Sequence, residues 1–264
     1  MKFIKIHRRL IIGIVIPIIF LLTLIGFNKN PVLKYIGDQA FGGCCYNLTI
    51  AKAAYTAMSW RLPMITLPNG KQITNDKPPQ WANHQLARID FVSGDFPSAM
   101  KHINEELANY PDNLNAYYIK GLILGFTANT HEAIQVFEYY TSKTSTWAGH
   151  NDLAWLYFKI GDYKNAFKTI DKIHKQNPNN IWVLNTRAIS LYNLKRYKEA
   201  KIDIDNALAN YKTFTPERWG ASYPGNDPSI YSEGYEQMGK SLEANKTLIY
   251  EALKIKPKTE VMVI

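Results

Sequence analysis

The fold is decided by four short phrases. They read Gly94-Asp95-Phe96-Pro97-Ser98-Ala99, Ala128-Asn129-Thr130-His131-Glu132-Ala133, Gly161-Asp162-Tyr163-Lys164-Asn165-Ala166 and Lys195-Arg196-Tyr197-Lys198-Glu199-Ala200. Their closing alanines lie 34, 33 and 34 residues apart. Upstream of each phrase, small or apolar residues recur at helical spacing, as in Leu153, Ala154, Tyr157 and Ile160, and they recur downstream, as in Phe167, Ile170 and Ile173. Two amphipathic helices therefore flank one turn. Gly94 and Gly161 suit a left-handed helix end, and Asp95 and Asp162 stand where a second helix needs an N-terminal acceptor. Ala128 and Lys195 replace the glycine in the other two turns. The four alanines are expected where the helices of a hairpin cross, and Pro111 and Pro178 close two units. One hairpin cannot bury its apolar stripe alone, so the units must stack.

In period and pattern the sequence resembles the tetratricopeptide repeat family, whose unit is a helix-turn-helix of about 34 residues. The resemblance covers residues 80–258 and implies an all-α, right-handed helical solenoid that binds proteins rather than transforming substrates. Four units match well. A fifth, degenerate one is expected near Tyr231–Pro257, with Tyr235, Gly239, Ala244, Leu248 and Ala252 in repeat positions. Ala244 follows Ala200 by 44 residues, so an insertion is placed at 213–228, where Pro216, Gly220, Pro224, Gly225 and Pro228 preclude a continuous helix.

Before the array, residues 28–79 form a juxtamembrane section. Pro31–Phe41 and Asn47–Trp60 are short helix candidates that would cap the first repeat as a degenerate hairpin. Met64-Ile65-Thr66-Leu67 and Lys71-Gln72-Ile73-Thr74 flank Pro68-Asn69-Gly70, which predicts a small β-hairpin at 64–74. Cys44 and Cys45, the only cysteines, are too few for a structural zinc site. They read as a thiol pair on a linker, with an intermolecular disulfide as the alternative in an oxidising compartment.

Leu10–Phe27 is an 18-residue run without a charge. At about 1.5 Å per residue it reaches roughly 27 Å, near the thickness of a bilayer's hydrocarbon core. Residues 1–9 carry Lys2, Lys5, Arg8 and Arg9 and no acid, which holds that end in the cytoplasm. A secretory signal has the same layout, but the run is long for one and no Ala-x-Ala follows, so an uncleaved anchor is expected. The reading is a single-pass membrane protein, its repeat domain on the exported (periplasmic or extracellular) side and residues 259–264 a tail.

The formal net charge of +9 is uneven, since residues 1–30 hold five cations and no acid and leave only +4 on the rest. A weakly basic repeat domain with no clustered basic stripe argues against nucleic acid as partner. No phosphate loop, His-Glu-x-x-His, Gly-x-Ser-x-Gly or Cys-x-x-Cys occurs, and no two of the six histidines are three or four residues apart. Neither an enzyme nor a cofactor or metal site is expected.

The resemblance further implies that first helices line a concave groove for a partner protein or peptide. Its candidates here are His84, Arg88 and Phe91, then Tyr118, Leu122 and Phe126, then Asn151, Trp155 and Phe158, then Trp182, Asn185, Ile189 and Tyr192. Aromatic rings with a few amides suit an extended peptide, with Asn151 and Asn185 expected to bond its backbone. The carboxylate clamp of chaperone-binding members is absent, because Tyr118, Leu122, Ala148 and Asp152 stand where basic or amide residues would be needed. The expected role is a membrane-anchored interaction scaffold, in cell-envelope assembly or secretion. The alternative is a glycan-binding accessory domain with Trp155 and Trp182 as stacking platforms.

Overall fold

The computed structural model describes residues 30–42, 46–60, 65–66, 72–73, 77–222 and 227–254. The apolar run 10–27, Cys44, Cys45 and the tail lie outside them. Among the described residues no helix is long and apolar enough to cross a membrane.

The repeats are hairpins, as the four phrases require. α3 (Ala82–Val92) turns into α4 (Phe96–Asn109), α5 (Leu114–Phe126) into α6 (Thr130–Lys143), α7 (Trp147–Lys159) into α8 (Tyr163–His174), and α9 (Ile181–Asn193) into α10 (Tyr197–Tyr211). Ala99, Ala133, Ala166 and Ala200 are all fully buried. Each second helix packs on its own first helix and on the next unit's, whereas successive first helices also touch one another, which places the first helices along one inner face.

A second small residue faces each of these alanines. Ala87, Gly121, Ala154 and Ala188 stand twelve residues upstream, and all four are buried. Four residues downstream come Ile103, Phe137, Ile170 and Ile204, so a crossing combines two small residues with one large one. In the second unit the large residue is a ring and the small one is glycine, for a reason of volume: a Cβ on Gly121 would lie 2.6 Å from Phe137 Cε2.

The same motif extends the array toward the N-terminus. α1 (Asn30–Gly42) and α2 (Leu48–Ser59) pair, α2 packs on α3, and Ala51 and Tyr55 occupy the positions of Ala133 and Phe137. Gly37 accommodates the Tyr55 ring as Gly121 does Phe137, with its would-be Cβ 2.6 Å from Cζ. This first hairpin is therefore a repeat in its packing, though its turn is longer and 48 residues separate Ala51 from Ala99. The excess carries two minimal strands, β1 (Ile65–Thr66) and β2 (Gln72–Ile73), paired antiparallel with Ile65 opposite Ile73 and Thr66 opposite Gln72. The turn Pro68-Asn69-Gly70 between them lies outside the described residues.

Three charged groups, Asp90 and Glu106 buried and Arg187 half-buried, join neighbouring helices. Asp90 of α3 accepts from Lys52 Nζ of α2 at 2.5 Å and lies 2.8 Å from His102 Nδ1 of α4. Glu106 of α4 accepts from the backbone N–H of Trp81 at 2.9 Å, from that of His84 at 3.3 Å and from Asn113 Nδ2 at 2.8 Å, supplying the acceptor that the start of α3 lacks. Arg187 donates to Asp171 at 2.8 Å and to both oxygens of Asp203 at 2.8 Å.

The C-terminal end departs from expectation. The segment after α10 contains α11 (Pro216–Ala221) and a 3-10 turn (Pro228–Ile230), and the fifth hairpin is instead one unbroken helix, α12 (Tyr231–Ala252). No turn residue interrupts it. Gly234 and Gly239 lie within it and admit the Trp219 and Tyr211 rings. Ala244 is exposed, and α12 buries Leu242 and Ile249, two turns apart, against α9 and α10.

Candidate functional site

The inner face was expected to display thirteen side chains, and the structure divides them by depth. Phe126 and Trp155 project, 68% and 49% exposed. His84, Asn151 and Ile189 are buried. The remaining eight are half-buried.

Several of these are committed to joining helices. Burial, helped by nearby Arg88, pushes the His84 imidazole down to about 3, so it stays neutral at any ordinary pH. The Arg88 guanidinium lies 4.7 Å from the Phe41 ring centre and donates to Gln85 at 2.8 Å, tying α3 to α1. Asn151 accepts from the Thr186 hydroxyl at 2.7 Å, and Asn185 accepts from Asn245 Nδ2 at 2.9 Å. The two amides expected to hold a peptide backbone are thus engaged between helices. Trp182, half-buried, packs between Trp147, at 5.3 Å, and Phe214, at 5.6 Å. Ile189 belongs to the interior, and Tyr192 packs on Tyr197 at 5.6 Å.

What stays available is concentrated in the first three repeats. Phe91, Phe96 and Phe126 form one aromatic group, with Phe91 and Phe126 edge to face at 5.2 Å. Trp155 stacks on Phe158 at 5.2 Å with 7° between planes, and Phe158 meets Tyr163. Between the two groups lies a cavity of about 370 Å³. α5 contributes Gly121, Leu122, Gly125 and Phe126, α7 contributes Asp152, Trp155, Leu156 and Lys159, and Phe137 of α6 completes the lining. Gly121 and Gly125 are one helical turn apart, Gly121 admitting the Phe137 ring and Gly125 facing Leu156 Cδ2, 3.4 Å from where its Cβ would lie. The Gly-x-x-x-Gly spacing in the sequence marks the side of α5 on which these neighbours come close.

Asp152 is the acidic group of this cavity. Its Oδ2 accepts from the Tyr118 hydroxyl at 2.8 Å, so Tyr118, from the groove candidates, belongs to the site through its oxygen. Burial is the main cause that pushes the Asp152 carboxyl up to about 6, against the opposing hydrogen bonds from Tyr118 and Asn151. At the far end Lys159 Nζ donates to the Gly125 carbonyl at 3.5 Å.

A larger cavity of about 500 Å³ lies between α2 and α3 beside Trp60 and Ile89. It borders the chain leading into residues 61–64, outside the described residues, and lies away from the aromatic face. Among the described residues no three His, Cys, Asp or Glu side chains gather as metal ligands would.

No family model matches the sequence, and no curated protein matches it. Solved structures do show likeness. YrrB, described as a TPR protein with an unusual peptide-binding site, aligns at 15% identity over 67% of this chain and 93% of its own, with a TM-score of 0.48. MamA from Desulfovibrio magneticus RS-1 aligns at 10% identity over 64% of this chain and 94% of its own, at 0.47. A MamA structure designated MSR-1 aligns at 18% identity over 66% and 97%, at 0.45. Such distant likeness adds nothing to the packing already described, and the repeated crossings carry the assignment. By its period and its hairpin geometry, the chain is an array of stacked helical hairpins that resembles tetratricopeptide repeats.

Proposed function

We propose that this protein is a non-enzymatic scaffold whose inner face holds an extended peptide or partner segment across α3, α5 and α7. Residues 10–27 would tether it to a membrane with the repeats on the exported side, where envelope assembly or secretion supplies its partners. The observation that carries the reading is the pair of exposed rings, Phe126 and Trp155, flanking a cavity on a face whose other large side chains are engaged. Exposed aromatic surface beside a cleft is favourable to bury and costs little side-chain entropy to order.

Photo-crosslinking in the native membrane tests it. A photoreactive phenylalanine analogue at Phe126 should yield a discrete protein adduct, reduced at least tenfold by Trp155→Ala, whereas the same analogue at exposed Ile202 on α10 should not. Equal adducts at both positions, or none at Phe126, would refute the groove. The tether is checked separately: a reporter active only in the cytoplasm, fused after Ile264, should stay silent.

A further inference from the structure

Asp152 differs from the other aspartates that are buried or half-buried in the described residues. Asp38, Asp90, Asp171, Asp203 and Asp205 each pair with a lysine or arginine. Asp162 and Asp227 cap helix starts. Asp152 sits in the middle of α7 and does neither, and among the described residues no cation is ion-paired with it. Lys159 lies seven residues on, roughly 10 Å along the helix axis, and is directed to the Gly125 carbonyl.

We propose that the cavity between α5 and α7 is a subsite for a lysine or arginine side chain of the bound polypeptide. The cation would meet the Asp152 carboxylate, positioned by the Tyr118 hydroxyl, while its apolar stem lies against Trp155 and Phe126. This specifies the occupant of the groove proposed above and rests on that reading. Three features agree on the charge. A carboxylate lines the cavity without a cationic partner, exposed aromatic faces beside it attract cations, and Tyr118, Leu122, Ala148 and Asp152 stand where capture of an acidic tail would need basic or amide residues, while the one lysine of the lining, Lys159, is directed to the Gly125 carbonyl.

The raised carboxyl adds a consistent energetic feature. A carboxyl whose folded value exceeds its unfolded one supports the fold below the unfolded range and loses that contribution as pH rises through about 6. At neutral pH the unpaired charge is therefore a cost to the free protein, and an incoming cation relieves it.

The test uses the full chain in detergent on an array of nonapeptides with randomised flanks. The central residue is fixed as arginine, lysine, citrulline, norleucine or glutamate. Arginine- and lysine-centred peptides should be retained about tenfold better than citrulline- and norleucine-centred ones, and glutamate-centred peptides least. Asp152→Asn, which keeps an acceptor for Tyr118, should bring that ratio close to one while norleucine-centred peptides still bind, and should melt no lower than the parent at pH 7.5. Retention without charge preference, or a preference that survives in Asp152→Asn, refutes the subsite and leaves the groove standing. A variant that melts lower is judged by Tyr118→Phe, which should weaken the preference with the carboxylate in place, and an unchanged preference there would overturn Asp152's positioning by Tyr118. Retention of no peptide above a Trp155→Ala background refutes the groove itself.

Discussion

Gly121 and Phe137 show at the scale of one residue how a repeat is kept constant in volume while its members change. Three crossings combine alanine with isoleucine, as in Ala87 and Ile103, and one combines glycine with phenylalanine. The ring's edge lies where a methyl group would be, so adding one forces a buried side chain off its position. Gly121→Ala should therefore destabilise by roughly 1–3 kcal/mol, although alanine is the better helix former. Phe137→Ile alone leaves a void and destabilises as well. Together they recreate the composition of the neighbouring units, and urea midpoints should show the double variant more stable than Gly121→Ala alone, a coupling of at least about 1 kcal/mol. Additive losses would mean that the two residues do not share one space. Gly37 with Tyr55 makes the same exchange in the first hairpin, which is how that unit reveals its kinship despite the longer connection between its helices.

At the scale of an element, the four turns take one backbone conformation whatever residue is present. Gly94 and Gly161 have φ of 77° and 78°, and Ala128 and Lys195 have 62° and 61°. In each turn the N–H after the left-handed residue bonds back to the carbonyl five residues earlier, as Arg196 does to Leu191 at 2.9 Å and Asp162 to Tyr157 at 2.9 Å. Crossing geometry imposes this turn, and residues with a Cβ pay about 1–2 kcal/mol to adopt it. Part of that is offset because glycine loses more freedom on folding. Lys195→Gly should accordingly stabilise by about 0.5–1 kcal/mol, and Gly161→Ala should destabilise by a similar amount. Thermal melts of the two variants moving in the same direction would contradict this account.

For the whole molecule, an array is only as stable as its ends. α12 is amphipathic, with Leu242 and Ile249 buried on α9 and α10 and Ala244 and Leu248 on the outside, so it closes the last interface and turns a largely polar face outward. Leu242→Ala should cost about 2–5 kcal/mol, whereas Ala244→Lys should stay within about 0.5 kcal/mol of the parent. A repeat reading of this segment predicts the reverse order, since Ala244 would then be the helix-crossing alanine, and chemical denaturation of the two variants separates the alternatives. At the other end, the Asp90 network binds α2 to α3 and α4 and so joins the first hairpin to the regular repeats.

The array, its period and the burial of Ala99, Ala133, Ala166 and Ala200 were legible in the chain because helix crossings and turns are local: each is dictated by residues a few positions apart and then recurs. The inner face was legible as a set of helices, yet only Phe126 and Trp155 of the thirteen candidates are exposed. Spacing places a residue on a side of a helix but does not say whether the neighbouring repeat covers it, and that depends on groups about 34 residues away, such as Thr186 on Asn151. In the sequence alone Asp152 reads only as a residue unfit for a clamp. Its significance, a carboxylate without a cation beside two exposed rings, arises from α5 and α7 coming together, because desolvation and charge pairing are properties of the assembled surface.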